Sequence, residues 1–480
     1  MRLLMIRVAV FVSAAAVLVL EIVAGRILAP YVGVSLQTFT GIIGTILAAI
    51  ALGAWAGGRL ADDREPSNLL GPVLIAGGIL AVVSPALVYV IGPSVSGEEP
   101  FTIVFLAAVG FFLPAAVLSM ATPIAAKLSL ASLEDTGSVV GSLSALGTAG
   151  ALFGTFITGF VLIAAMPSQP ITWVVGVVLV VLGASFAWQT GAAVAVIGVA
   201  GVLVAITGSA AVAAPCDYET SYSCAIVAQR TERATTKALI LDTFVNSVVD
   251  TEDPTYLSSR YARVSDAVIQ AQTGGGPRNV VYIGGGGYTL PRFYDATSGA
   301  LAVVLEIDES LPEIAVNDLG LVDGPWLKTI TGDARLGLRS LAVDQFDVAV
   351  GDAFSGRSVP WHLTTVEFLE DIRSRLEADG MYVVNVIDYP PTEFARAQLA
   401  TMVEVFDHVA VLAPPTYLGF ERGGNFVLVG TDAEIRVDEI APALTDGEVI
   451  LVDDAARAWA EGGIVLTDDY APTDQLLSRP

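Results

Sequence analysis

Cysteine is nearly missing from the 480-residue sequence: Cys216 and Cys224 are the only two, which excludes a disulfide-dense secreted scaffold. Histidine is as rare, at His362 and His408, and neither has a Cys or His neighbour at ligand spacing, so no metal centre is expected. Lysine occurs three times among 24 basic residues, against 49 acidic ones, for a net charge of −25. That balance excludes a nucleic-acid binder, whose footprint is basic. Charge of either sign is scarce, 15% of residues against roughly 25% in an average soluble protein. The deficit excludes a wholly soluble enzyme, and an apolar content of 54% excludes a disordered chain. Neither a Gly-x-Ser-x-Gly elbow nor a phosphate-binding P-loop is present.

What charge there is falls unevenly. Residues 1–213 hold 6 basic and 8 acidic residues, and residues 214–480 hold 18 and 41. The first part contains seven apolar runs, at 5–28, 38–60, 69–92, 101–123, 138–165, 170–187 and 191–213. Each is near the length, about 20 residues, that crosses a bilayer, so 1–213 is expected to be a multi-pass helical domain in a cell membrane. The first run continues to Leu28 past any small-residue cleavage site and holds Glu21 and Arg26, so it reads as a span and not as a signal peptide. Gly150-x-x-x-Gly154 gives the fifth run a small-residue packing face.

Residues 214–265 form a small β-rich lead-in, with β-branched runs at 225–227, 239–241 and 245–249. From 266 to 480 short apolar runs alternate with amphipathic stretches such as 363–379. Segments 279–283, 301–307, 328–331, 346–350 and 381–387 read as strands, and the alternation predicts a Rossmann-like α/β domain whose parallel sheet is covered by helices. Residues 431–480 read as an acidic tail.

Acidic residues recur just after the expected strands. Gly284-Gly285-Gly286-Gly287 follows the first, where glycines admit a ligand close to the backbone. A dinucleotide fingerprint needs a third glycine at Thr289 or Leu290, so NAD is not favoured. The second strand ends in Glu306-Ile307-Asp308, placed to accept ribose hydroxyls. Gly332-Asp333-Ala334 follows the third and Asp352-Ala353-Phe354-Ser355-Gly356 the fourth. Each acid alone could be a helix N-cap. Four in register lie where open α/β sheets bind ligands.

This constellation resembles the spermidine synthase family of class I S-adenosylmethionine-fold transferases. It is carried by VVYIGGGG at 280–287, EID at 306–308, GDA at 332–334 and DAFSG at 352–356. The membrane-fused branch is the most similar, through LEIVAGRILAPYVG at 20–33, GAWAGGRLAD at 53–62, PWHLTTVEF at 360–368 and TDDYAP at 467–472. The resemblance implies a sulfonium nucleoside, decarboxylated S-adenosylmethionine or S-adenosylmethionine. Gly284, Gly285, Gly286, Glu306, Asp308, Asp333 and Ala334 would hold it, with Glu306 on the ribose and Asp333 on the adenine. Asp352 would stand at the acceptor amine, a polyamine or another amine, and help remove its proton, because alkyl ammonium groups titrate near about 10.4. A tyrosine assists in that family. Tyr256 and Tyr261 both lie in the matching segment, and Tyr261 is favoured by its distance from the glycine loop. Asn246, Ser355 and His362 are further candidate substrate contacts, and a homodimer is an assembly the resemblance leaves open.

Two departures stand out. Gly287 takes the place of the acid that grips the donor's amine in polyamine synthases, and Ser355 that of a second acid beside the catalytic one. A methyl transfer from S-adenosylmethionine is therefore an alternative, and a transporter or sensor with a non-catalytic ligand domain is another. Sidedness stays open too. Arg2, Arg7, Arg59, Arg64 and Lys127 put the N-terminus and the second and fourth loops in the cytoplasm. Seven spans then carry the acidic domain outside, where Cys216 and Cys224 could form a disulfide, while the donor is made inside.

Overall fold

The computed structural model describes residues 2–97, 99–130, 136–354, 356–444 and 446–478. The chain divides into two compact units, 1–226 with 241–243, and 227–240 with 244–480.

Among the described residues the first unit holds seven helical stretches long and apolar enough to span a membrane: Leu3–Val32, Leu36–Asp63, Pro66–Ser94, Pro100–Ser129, Thr136–Ala165, Ser168–Trp188 and Ala192–Ala210. Close helix approach through small residues holds them together. A Cβ on Gly150 or Gly154 would lie 2.2 or 2.4 Å from the carbonyl oxygens of Phe11 or Ala15, so the Gly150–Gly154 face is where the fifth span meets the first. Arg26 does not pair with Glu21. Its Nε lies 3.1 Å from Oε1 of Glu219, and its Nη1 and Nη2 donate to the carbonyls of Ser221 and Thr220. The Ser168 amide, at the start of the sixth span, donates to the same carboxylate at 3.1 Å. Cys216 and Cys224 are disulfide-bonded.

Among the described residues twelve strands form two sheets. β1 (Tyr218–Glu219), β2 (Cys224–Gln229), β3 (Thr236–Leu241) and β4 (Phe244–Asp250) make the small lead-in sheet in sequential order. The larger sheet contains β5 (Asn279–Ile283), β6 (Leu301–Glu306), β7 (Leu327–Thr331), β8 (Phe346–Gly351), β9 (Leu376–Asp388), β10 (His408–Ala413), β11 (Gly424–Thr431) and β12 (Val449–Val452), in the order β12-β10-β11-β9-β8-β5-β6-β7. Near-continuous apolar runs such as NVVYI and MYVVNVI suit strands covered on both faces. Phe346, Phe368, Phe394 and Phe426 are fully buried in the core on this sheet.

The expectation of a parallel sheet holds only for β5 to β9. β11 runs antiparallel to β9, and β10 runs antiparallel to both β11 and β12. Only a four-residue helix, Pro415–Leu418, separates β10 from β11, too short a crossover for a parallel return. The expected acidic tail is also corrected, since β12 and the helix Asp454–Ala460 are built from it.

Candidate active site

Strand register brings the predicted residues level. Ile283 at the end of β5 pairs with Leu305 of β6 and Gly351 of β8, and Glu306 pairs with Thr331 of β7. The glycine loop, Glu306–Asp308, Gly332–Ala334 and Asp352 thus emerge from one edge of the sheet. Strand order reverses between β5 and β8, so the crevice at their C-terminal ends is the switch point where doubly wound sheets take ligands. There the backbones nearly touch. Gly284, at φ +97°, would put a Cβ 2.6 Å from the Asp352 carbonyl oxygen, which only a glycine avoids.

Glu306 locks the loop. Its Oε2 accepts the amides of Gly285 at 2.7 Å and Gly286 at 3.2 Å, and its Oε1 accepts that of Asp308 at 2.9 Å. Burial pushes its carboxyl above the ordinary range, and these amides pull the other way. An ionised carboxylate offers about four acceptor sites, so one on Oε1 is left for a ligand hydroxyl. Asp308, buried, accepts the Ser310 amide at 3.0 Å. Gly287 faces β4: its amide donates to Oγ of Ser247 at 2.9 Å, and a Cβ there would lie 2.7 Å from the Ser247 Cβ. The buried Arg292 guanidinium, pushed down to about 10 by burial, donates to the carbonyls of Gly287 and Leu319.

Asp333 is N-cap of the helix Ala334–Arg339, accepting the Leu336 amide at 3.0 Å through Oδ1, and its Oδ2 lies 2.8 Å from Nε2 of His362. Ala334 is buried beneath it. Arg335 forks onto Asp468 of the TDDYAP segment with two bonds of 2.7 Å, and Asp468 also accepts from the Thr365 hydroxyl.

Asp352 is the centre of a chain of side chains. Its Oδ2 accepts the Tyr261 hydroxyl at 2.7 Å, its Oδ1 the Asn385 amide at 2.9 Å, and Asn385 in turn accepts from Asn425 at 2.9 Å. Burial raises the Asp352 carboxyl above the ordinary carboxylate range, with both hydrogen bonds opposing, and burial beside Asp352 raises the Tyr261 phenol well above its usual value. A cavity of about 230 Å³ opens here, lined by Asn246, Ser247, Tyr261, Asp352, Asn385 and Asn425 among others. Asn246 accepts the Ser247 hydroxyl at 2.6 Å. Beside it a cleft of about 20 Å³ is lined by Tyr261, Tyr282, Gly284, Gly285 and Asp352, and the buried Tyr282 hydroxyl has no hydrogen-bond partner there. An orphaned donor between the glycine loop and Asp352 fits a polar group of a bound ligand.

Of the two candidate tyrosines, Tyr261 reaches Asp352, whereas Tyr256 lies under the Arg233 guanidinium at 4.0 Å. Ser355 lies outside the described residues. Sequence reasoning missed Asn385, Asn425 and Ser247. The one available signal was Asn385, a lone amide in the apolar run MYVVNVI, where a buried polar group needs a partner.

No family model matches the chain. A polyamine aminopropyltransferase from Vibrio vulnificus (strain CMCP6) is 30% identical over 112 residues, 23% of this chain and 38% of that protein, so the chain spans well under half the length of this curated relative. Among solved structures, a probable spermidine synthase from Corynebacterium glutamicum ATCC 13032 superposes with a TM-score of 0.50 at 27% identity, covering 55% of this chain and 98% of that one. In sequence and fold the α/β part is thus similar to spermidine synthases, and among the described residues seven apolar helices precede it.

Proposed function

We propose that the chain is a membrane-anchored transferase that moves an aminopropyl or related alkyl group from a sulfonium nucleoside to an amine such as a polyamine. The observation that carries this reading is Asp352, desolvated at the switch point, hydrogen-bonded by Tyr261 and Asn385, and open to a cavity. The sulfonium nucleoside would supply an electrophilic carbon beside its sulfur. Gly284–Gly286 and Glu306 would bind its ribose end, and Asp333 its base, sharing Oδ2 with His362. Asp352 would orient the acceptor's ammonium and take its proton, with Asn385 and Tyr261 holding the carboxylate in place. The freed amine lone pair then forms the N–C bond as the C–S bond breaks, its electron pair staying on sulfur. The product would leave as a secondary ammonium, and Asp352 would release the proton it took to solvent, which restores the carboxylate.

Gly287 favours a second reading on the same fold. Its amide is taken up by Ser247 and it offers no acid for a donor amine, which suits methyl transfer from S-adenosylmethionine. Incubation with each donor and a panel of amines separates the two. Methylthioadenosine with an enlarged amine is the expected product pair, and S-adenosylhomocysteine alone would replace aminopropyl transfer by methyl transfer.

A further inference from the structure

The cavity beside Asp352 has an unusual charge pattern for a site that takes an amine. Among the described residues lining it, Asp352 is the one carboxylate. Arg260 lines the same cavity, its Nη2 donating to the Asn425 carbonyl at 3.2 Å and its guanidinium 4.9 Å from the Tyr417 ring centre. Its charge is answered from the protein side by Glu448, whose Oε1 lies 3.6 Å from Arg260 Nε. The rest of the wall is neutral. Asn246, Asn385 and Asn425 offer amides, while Val245, Phe354 and Ile387 offer apolar surface.

A linear diamine bound here would set one ammonium on Asp352 and leave the other among amides, hydrocarbon and the Arg260 guanidinium. An ammonium taken out of water without a carboxylate is costly, and the Arg260 guanidinium, already paired with Glu448, offers it nothing in return. A hydroxyl or amide in the same place would instead find donors and acceptors on the asparagines. Resting on the transferase reading above, and narrowing its acceptor from polyamines to monoamines, we infer that the acceptor carries a single ammonium, held by Asp352, on a short tail that ends in a neutral hydrogen-bonding group.

The test compares 4-amino-1-butanol with putrescine, which differ by one ammonium replaced with hydroxyl at equal chain length. The full-length protein in detergent is given whichever sulfonium donor it turns over. The aminoalcohol is expected to have the higher kcat/KM by about tenfold or more, because only the diamine must desolvate a second charge. Val245→Asp puts a carboxylate on the partly exposed β4 wall of the cavity, and should shift the ratio toward putrescine by a similar factor. Equal efficiency, or a preference for putrescine in the wild type, would overturn the inference and leave the transferase standing. An unchanged ratio in the folded variant would count against it in the same way. If no amine is alkylated with either donor while the nucleoside still binds, the transferase reading itself falls, and this inference with it.

Discussion

Glu306 would have two roles in the proposed site, because a carboxylate that already accepts three backbone amides shapes the loop and would still offer an oxygen to a ribose. Glu306→Gln weakens charge-assisted bonds worth roughly 1.5–3 kcal/mol each. Methylthioadenosine affinity, measured by calorimetry, should therefore fall by about tenfold or more, and unchanged affinity would refute the binding mode. Tyr261 makes a second prediction. Its hydroxyl helps keep Asp352 ionised against burial, so Tyr261→Phe should raise the Asp352 pKa further. The carboxylate then ionises only at higher pH, and the acidic limb of the kcat/KM profile should move upward. A limb that stays in place would separate Tyr261 from Asp352. Glu306, Asp333 and Asp352 were legible because acids after apolar runs mark strand ends. Asn385 and Asn425 were not, because the amide chain they build needs β9 and β11 to be neighbours, which no local pattern states.

Among elements, the strands β5 to β8 stand almost where the apolar runs put them, since each is short, β-branched and closed by Gly, Asp or Glu. The antiparallel half of the sheet escaped notice for a physical reason. β12 reads VILV between acidic residues, too short to show a period, and only pairing with β10 makes it a strand. The TDDYAP segment was recognised as a motif but not as a strap. It ties Asp468 to Arg335 and Thr365, next to the Asp333–His362 contact. Arg335 is buried, whereas Asp468 is about two-fifths exposed, so solvent screens part of the pair. Asp468→Ala should cost about 1–2 kcal/mol, less than the roughly 1.5–3 kcal/mol of an unscreened hydrogen bond to a charged group, read as an earlier thermal transition. The Arg335 guanidinium depresses the Asp468 carboxyl. A depressed carboxylate stabilises above its unfolded pKa and loses that contribution as pH falls through the folded value, so the variant and the wild type should converge in acid.

Across the whole molecule, the seven spans followed from run length alone, but what ties their ends together did not. Lys127 pairs with Asp62 at 2.6 Å, joining the ends of the second and fourth apolar helices. Arg26, near the end of the first span, instead binds residues 219–221 just after the seventh. The Cys216–Cys224 bond in that segment gives a test of the side it faces, since disulfides persist in oxidising compartments. A membrane-impermeant maleimide on intact cells should label the two cysteines only after reduction, whereas free thiols labelled only on lysis would reverse the orientation. The proposed transfer depends above all on Asp352. Its direct measurement is turnover and methylthioadenosine binding in wild type and Asp352→Asn, side by side. A general base is worth about 10²–10⁴-fold, so the variant should lose at least about 100-fold in kcat while its nucleoside affinity stays within about twofold. Wild-type turnover in Asp352→Asn, or no nucleoside product from either donor with any amine, would contradict it.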